Sequence, residues 1–380
     1  MSAALAEHER RRGASAPDTS GSKWPILEHF PRVVREDLPQ IARALEGHIG
    51  PLSGRRVLIT GASGMLAAYL VDTLAYLNDC GAFASPCYLT LLARSPDRAK
   101  ERLGHLATRS DVQFLFQDVR APLPASLAAD FIVHAAAPAT PKHFLGDPLG
   151  SLDANTLALR SLLEHARAGC PASVLYVSSS EIYGTPDADA IPTPETYVGR
   201  VDPLSRRAYY AEAKRAGETY CLAYHEVHGL KIKIARPFHV HGPGIRLDEG
   251  RVVPTLFAMG LAGERLALES DGRATRTYGY VSDATVALLR ILLSSHDGQA
   301  FNVGSDRPET SMLALAREIQ QLFGQSEPVL VNRAPAKETS QGAPARACPD
   351  LGKLRNCFGF EPEVELGDGL SRLLRWFRPS

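Results

Sequence analysis

"RRVLITGASGMLAAYLVDTLAYL", residues 55 to 77, runs from an apolar, β-branched strand through a glycine turn straight into a helix. Gly61 and Gly64 stand where a backbone turns tightly and lets a pyrophosphate approach, and Ala67 replaces the third glycine at the helix–strand contact. Taken alone, such a glycine pair also suits a plain turn before a helix. Its surroundings favour the dinucleotide. The runs "RVLIT", "CYLTLLA", "VQFLFQ", "FIVHAAA", "SVLYVSS" and "KIKIARP" follow in series and alternate with helix-forming stretches. Strands alternating with helices predict an α/β fold, a Rossmann doubly wound parallel sheet, with the glycine turn after its first strand.

Composition narrows the class of partner. The 380 residues, 44% hydrophobic, can bury a large core and are long for one compact unit. Lys and Arg number 42 and Asp and Glu 42, so no global field draws the chain to nucleic acid or to an anionic membrane, and a small-molecule partner is expected. The six cysteines show neither C-x-x-C pairs nor metal-ligand spacing, which predicts reduced thiols in a cytoplasmic protein and no metal site. Residues 1 to 23 mix Arg, Ser, Gly, Asp and Ala without an apolar period and are expected to be a disordered tail. Within residues 24 to 52, Leu38, Ile41, Ala42, Leu45 and Ile49 recur at helical spacing, which predicts an amphipathic helix packed on the main body.

The second strand ends in "LLARSPDR", with Arg94 where an NAD site usually offers an acid to the adenosine ribose. Arg94 and Arg98 read either as solvated loop residues or as contacts to adenine or a 2′-phosphate, so NAD is expected and NADP stays open. Asp118, closing "VQFLFQD", can accept from the adenine amino group or cap the next turn. In "SRRAYYAEAKRAGETY", Tyr210 and Lys214 lie four residues apart on one helix face. A phenol with a pKa near 10 is about 4 kcal/mol from its conjugate base at neutral pH, and a neighbouring ammonium narrows that gap. Such a pair acts on an alcohol only if a hydroxyl from elsewhere meets it. "VLYVSSSEIYG", residues 174 to 184, delivers Ser178, Ser179, Ser180 and Glu181 to a strand end; the plainer reading is hydroxyls satisfying backbone groups there.

Several motifs in order, "TGASGML", "HAAAPATPKHFLGDPLGSLDANTLALRSLLEHA", "SSSEIYGTP", "PETYVGRVDPLSRRAYYAEAKR", "DEGRVVPTLF" and "TRTYGYVSDA", resemble the extended short-chain dehydrogenase/reductases that act on nucleotide sugars, most closely the UDP-glucuronate decarboxylases. The resemblance covers about residues 53 to 378. It implies an NAD(P)-binding Rossmann domain over residues 53 to 237, and a substrate domain over 238 to 380 interleaved with it around 276 to 300. It also implies a homodimer and a cofactor reduced and reoxidised within one turnover. Carried over residue by residue, it makes Tyr210 the base, supported by Lys214, with Ser179 positioning the reacting hydroxyl and Glu181 near the sugar ring. It places Gly61, Ser63, Gly64, Met65, Arg94, Asp118, Val119, Ala135, Ala136 and Ala137 on the cofactor, with Tyr210 and Lys214. Arg251, Arg276 and Arg346 become candidate partners of the diphosphate and carboxylate of a nucleotide sugar. Ser180 stands where the related 4,6-dehydratases carry an aspartic acid. His239, in "FHVHGP", departs from the asparagine of the family, which puts nucleotide or sugar selectivity in doubt.

Overall fold

The computed structural model describes residues 23–332 and 344–378; the expected N-terminal tail lies, but for Lys23, outside the described residues. The first helix, α1 (Arg32–Ala44), precedes β1 (Arg56–Thr60), α2 (Met65–Asp79), β2 (Tyr88–Ala93), α3 (Pro96–Leu103) and β3 (Val112–Phe116). Then come β4 (Phe131–His134), α4 (Pro141–Gly146), α5 (Pro148–Asn155), α6 (Leu157–Gly169), β5 (Ser173–Val177), α7 (Ala208–His228) and β6 (Ile232–Pro237). All six expected strands are present, and with β11 (Ala300–Val303) they form a seven-stranded sheet in the order β3-β2-β1-β4-β5-β6-β11, parallel throughout.

Val57, Leu58, Ile59 and Thr60 of β1 are all buried, because helices cover both faces of a parallel sheet. β1 lies between β2 and β4, so the chain reverses its direction of winding there and opens a crevice at the strand ends. The glycine turn sits at that crevice.

Leu38, Ile41, Ala42, Leu45 and Ile49 join the main core, as the helical period predicts, although the helix itself ends at Ala44. Buried Asp37 of α1 accepts hydrogen bonds from Tyr69 Oη and Tyr280 Oη, both at 2.8 Å, and from Arg372 Nη1 at 2.5 Å. Burial raises its carboxyl pKa while Arg372 opposes the rise. One carboxylate thus ties the N-terminal helix to α2 and to the far end of the chain.

Beyond the sheet strands, a second core gathers Leu256 and Phe257 of α8 (Val252–Leu261), Leu315 and Ile319 of α10 (Met312–Leu322), and Leu370 and Leu373 of α12 (Leu366–Phe377). Between these helices along the chain lie α9 (Val281–Leu292) and α11 (Gly352–Phe358). Short ladders pair β7 (Val240–His241) with β10 (Gly279–Tyr280), β8 (Ala267–Leu268) with β13 (Leu330–Val331), and β9 (Thr275–Arg276) with β12 (Thr310–Ser311) and β14 (Arg346–Ala347). Among the described residues, no helix is long and apolar enough to cross a membrane.

Candidate active site

At the end of β5 the three serines part company. Ser178 N–H donates to Ala235 O at 2.7 Å, prolonging the ladder to β6, and Ser178 Oγ donates to Glu218 Oε1 at 2.5 Å. Ser179 Oγ accepts from Glu181 N–H at 3.2 Å, capping the short helical turn Ser180–Tyr183, and also hydrogen-bonds the Tyr210 phenol. The backbone-capping role and the meeting with Tyr210 therefore coexist in one hydroxyl.

Tyr210, Lys214 and Glu218 follow one another at four-residue intervals along one face of α7. Lys214 Nζ donates to Val177 O at 2.6 Å and lies 5.8 Å from the Tyr210 ring centroid. Glu218 takes a two-pronged pair from Arg236, at 2.9 and 2.6 Å. Tyr210 stacks on Phe144 of α4, centroids 5.3 Å apart and planes 9° off parallel. Burial pushes the Tyr210 phenol up, against the Ser179 hydrogen bond; burial also pulls the Lys214 ammonium down to about 7. Tyr209, next along, is only half-buried and faces elsewhere.

Two cavities meet at Ser179. The first, about 640 Å³, is lined by Gly61, Ser63, Gly64, Met65, Ala135, Ala137, Ser179, Tyr210 and Lys214. Its walls fit a dinucleotide. A methyl group on Gly61, φ +68°, would lie 2.8 Å from Ala136 Cα and 2.9 Å from Ala135 O, so only glycine brings β1 and β4 this close. Gly64 caps α2 without a side chain, leaving the first-turn N–H groups to meet an anion. Arg98 lines the same cavity; Arg94, Asp118, Val119 and Ala136 do not. Arg94 is exposed, Asp118 is held by Arg120 at 2.9 Å, and Val119 packs against the apolar core.

The second cavity, about 470 Å³, is lined by Ser179, Ser180, Glu181, Arg207, His239, Arg251 and Arg276. Arg207 Nη2 donates to both Glu181 oxygens at 2.6 Å, Arg251 Nε to Glu249 Oε2 at 2.9 Å, and Arg276 to Thr275 O at 2.7 Å and Pro344 O at 2.5 Å. Burial first, then the cations Arg276, Arg251 and Arg207, hold the His239 imidazole neutral, its pKa down to about 3. Arg346 is placed differently: its guanidinium pairs with Glu309 at 2.7 and 2.8 Å and is not part of this lining. Sequence reading did not single out Arg207 or Glu218, though each lies one helical turn from a residue that it did single out.

A family model described as the NAD dependent epimerase/dehydratase family matches residues 57–304. The chain belongs to that family. It is an NAD-dependent enzyme. A UDP-glucuronic acid decarboxylase of Arabidopsis thaliana is 34% identical over 327 residues, 86% of this chain and 90% of that one. In fold, this family member is similar to a dTDP-glucose 4,6-dehydratase from Streptomyces venezuelae solved with NAD, with TM-score 0.73, 24% identity and coverage of 85% and 97% of the two chains. It is similar also to a UDP-glucuronic acid 4-epimerase from Bacillus cereus solved with NAD, with TM-score 0.71, 23% identity and coverage of 85% and 99%.

Proposed function

We propose that this enzyme decarboxylates a nucleotide sugar whose sugar is a uronic acid, of the UDP-glucuronate type, by oxidising carbon 4, losing carbon dioxide and reducing carbon 4 again. The observation that carries the reading is the second cavity's charge: three guanidinium groups, Arg207, Arg251 and Arg276, surround neutral His239 beside the Tyr210–Ser179 pair. A diphosphate and a carboxylate are the anions such a set receives. The 34% identity to a UDP-glucuronic acid decarboxylase supports the same substrate class.

Each residue has a task in the chemistry. Tyr210 takes the proton from the carbon 4 hydroxyl, and Ser179 holds that hydroxyl and the phenol in line. Lys214, anchored on Val177 O, lowers the cost of the phenolate that burial raises. NAD, held in the cavity lined by Gly61, Gly64 and Lys214, would supply the acceptor and then the donor for the carbon 4 hydride. The ketone at carbon 4 lies β to the carboxylate, so the bond to carbon dioxide breaks with its electron pair passing into an enolate. Ser179 and Tyr210 donate to the enolate oxygen. Carbon 5 then takes a proton, and carbon 4 recovers its hydride and proton. Ser180 suits this course, because expelling water from carbon 6 needs an acid far stronger than a serine hydroxyl, while loss of carbon dioxide needs none there.

The test is a product mass. With UDP-glucuronate, loss of the mass of carbon dioxide supports the reading. Loss of water refutes it, and unchanged mass with altered mobility promotes a 4-epimerase instead. We also propose a homodimer through the helices α5 to α7, whose Leu149, Leu157 and Val227 are 73%, 60% and 73% exposed. A monomeric mass by sedimentation would exclude it.

A further inference from the structure

Arg102 of α3 is a charged residue buried at the cofactor cavity, and neither the motifs nor the chemistry above uses it. It is 8% exposed and lines the cavity together with Gly61, Gly64 and Met65. Its Nη2 lies 2.9 Å from Oδ2 of buried Asp72, whose other oxygen is 2.9 Å from His105 Nε2. The guanidinium carbon is 5.7 Å from the Tyr69 ring centroid and 5.7 Å from that of Trp376. No acceptor among the described residues is aligned with Nε or Nη1, so a cation has been taken out of water with donors left over.

Its position gives those donors a use. A methyl group on Gly244 would lie 3.1 Å from Arg102 Nε and 3.6 Å from Met65 Cα, which puts the guanidinium within about 7 Å of the uncapped N-terminus of α2. Gly244, at φ +89°, leaves the space between them clear; any side chain there would wedge the two apart. Helix dipole and guanidinium thus bear on one point, where an anion belongs.

We propose that Arg102 binds the diphosphate bridge of the dinucleotide, giving up part of its contact with Asp72 to phosphate oxygens. Calorimetric titration of the full chain, freed of bound dinucleotide, with ADP and with adenosine tests this. Arg102→Met keeps the stem and removes the charge: ADP binding is expected to weaken about 10- to 100-fold and adenosine binding less than about threefold. Parallel loss of both ligands would mean a packing role and overturn the proposal, as would no loss of either. Should Arg102→Met not fold, Asp72→Asn carries the test, because it removes the competing carboxylate and leaves Arg102 in place. ADP is then expected to bind several-fold more tightly with adenosine unchanged, and unchanged or weaker ADP binding would overturn the assignment.

Discussion

The Tyr210 face of α7 and the arginine-lined cavity beside it are held in place by different means. On α7 each group is fixed by a partner that no ligand need displace: Lys214 by a backbone carbonyl, Glu218 by Arg236 and Ser178, Tyr210 by the Phe144 ring. In the cavity, Arg207 and Arg251 are held by carboxylates, Glu181 and Glu249, with which an anionic substrate competes directly. Damage to the first region should therefore appear in turnover, and damage to the second in substrate affinity.

The largest expected effect is that of Tyr210→Phe. Turnover should fall about 10²- to 10⁴-fold while NAD remains bound, as read from dinucleotide released on denaturation. Tyr209→Phe should change turnover less than about twofold, and equal losses in the two variants would break the distinction.

Lys214→Met should also abolish most turnover, yet stabilise the cofactor-free protein at neutral pH. The sign follows from the lowered ammonium pKa. Between about 7 and the ordinary lysine value of 10.5 the unfolded chain binds a proton that the folded chain does not, so stability rises with pH across that window and is lost below it. Removing the lysine removes that slope, worth at most about 5 kcal/mol across the whole window. The check is the difference in Tm between variant and wild type at pH 7 and pH 10. A difference that does not shrink as pH rises would show that Lys214 is not penalised by burial.

Smaller again is Arg207→Met, expected to raise KM for the nucleotide sugar about tenfold with kcat changed far less. A fall in kcat at constant KM would move Arg207 from holding substrate to holding Glu181 for the chemistry. Arg346→Met should be the mildest: its side chain is 43% exposed and its ion pair with Glu309 is worth about 0–1 kcal/mol, so KM should stay within about threefold. A tenfold rise would return Arg346 to the substrate arginines, where the family resemblance puts it.

Much of the fold was legible because it is written in short-range periodicity. The six apolar runs are strands, and the α1 period is a helix, since alternation with turns and 3.6-residue spacing are local consequences of backbone hydrogen bonding. β11 escaped notice: "AFNV" is four residues long, and only its pairing with β6, more than 60 residues away in the chain, makes it a strand. Tyr210 and Lys214 could be paired on paper because four residues are one helical turn. Ser179 could not be joined to them by spacing, and its place came from resemblance.

The sequence by itself determined the order of strands and helices, the glycine turn at β1 and the Tyr–Lys face of α7, because each depends on neighbours a few residues apart. Only the tertiary structure decided which charges meet. Arg207 faces Glu181 across 26 residues, Arg346 turns to Glu309, and Arg102 comes to rest between Asp72, Trp376 and the N-terminus of α2. An arginine has the same composition and propensity wherever it stands. What separates a surface residue from a substrate or cofactor ligand is burial and the acceptors brought within reach of its guanidinium, and these exist only once the chain has folded.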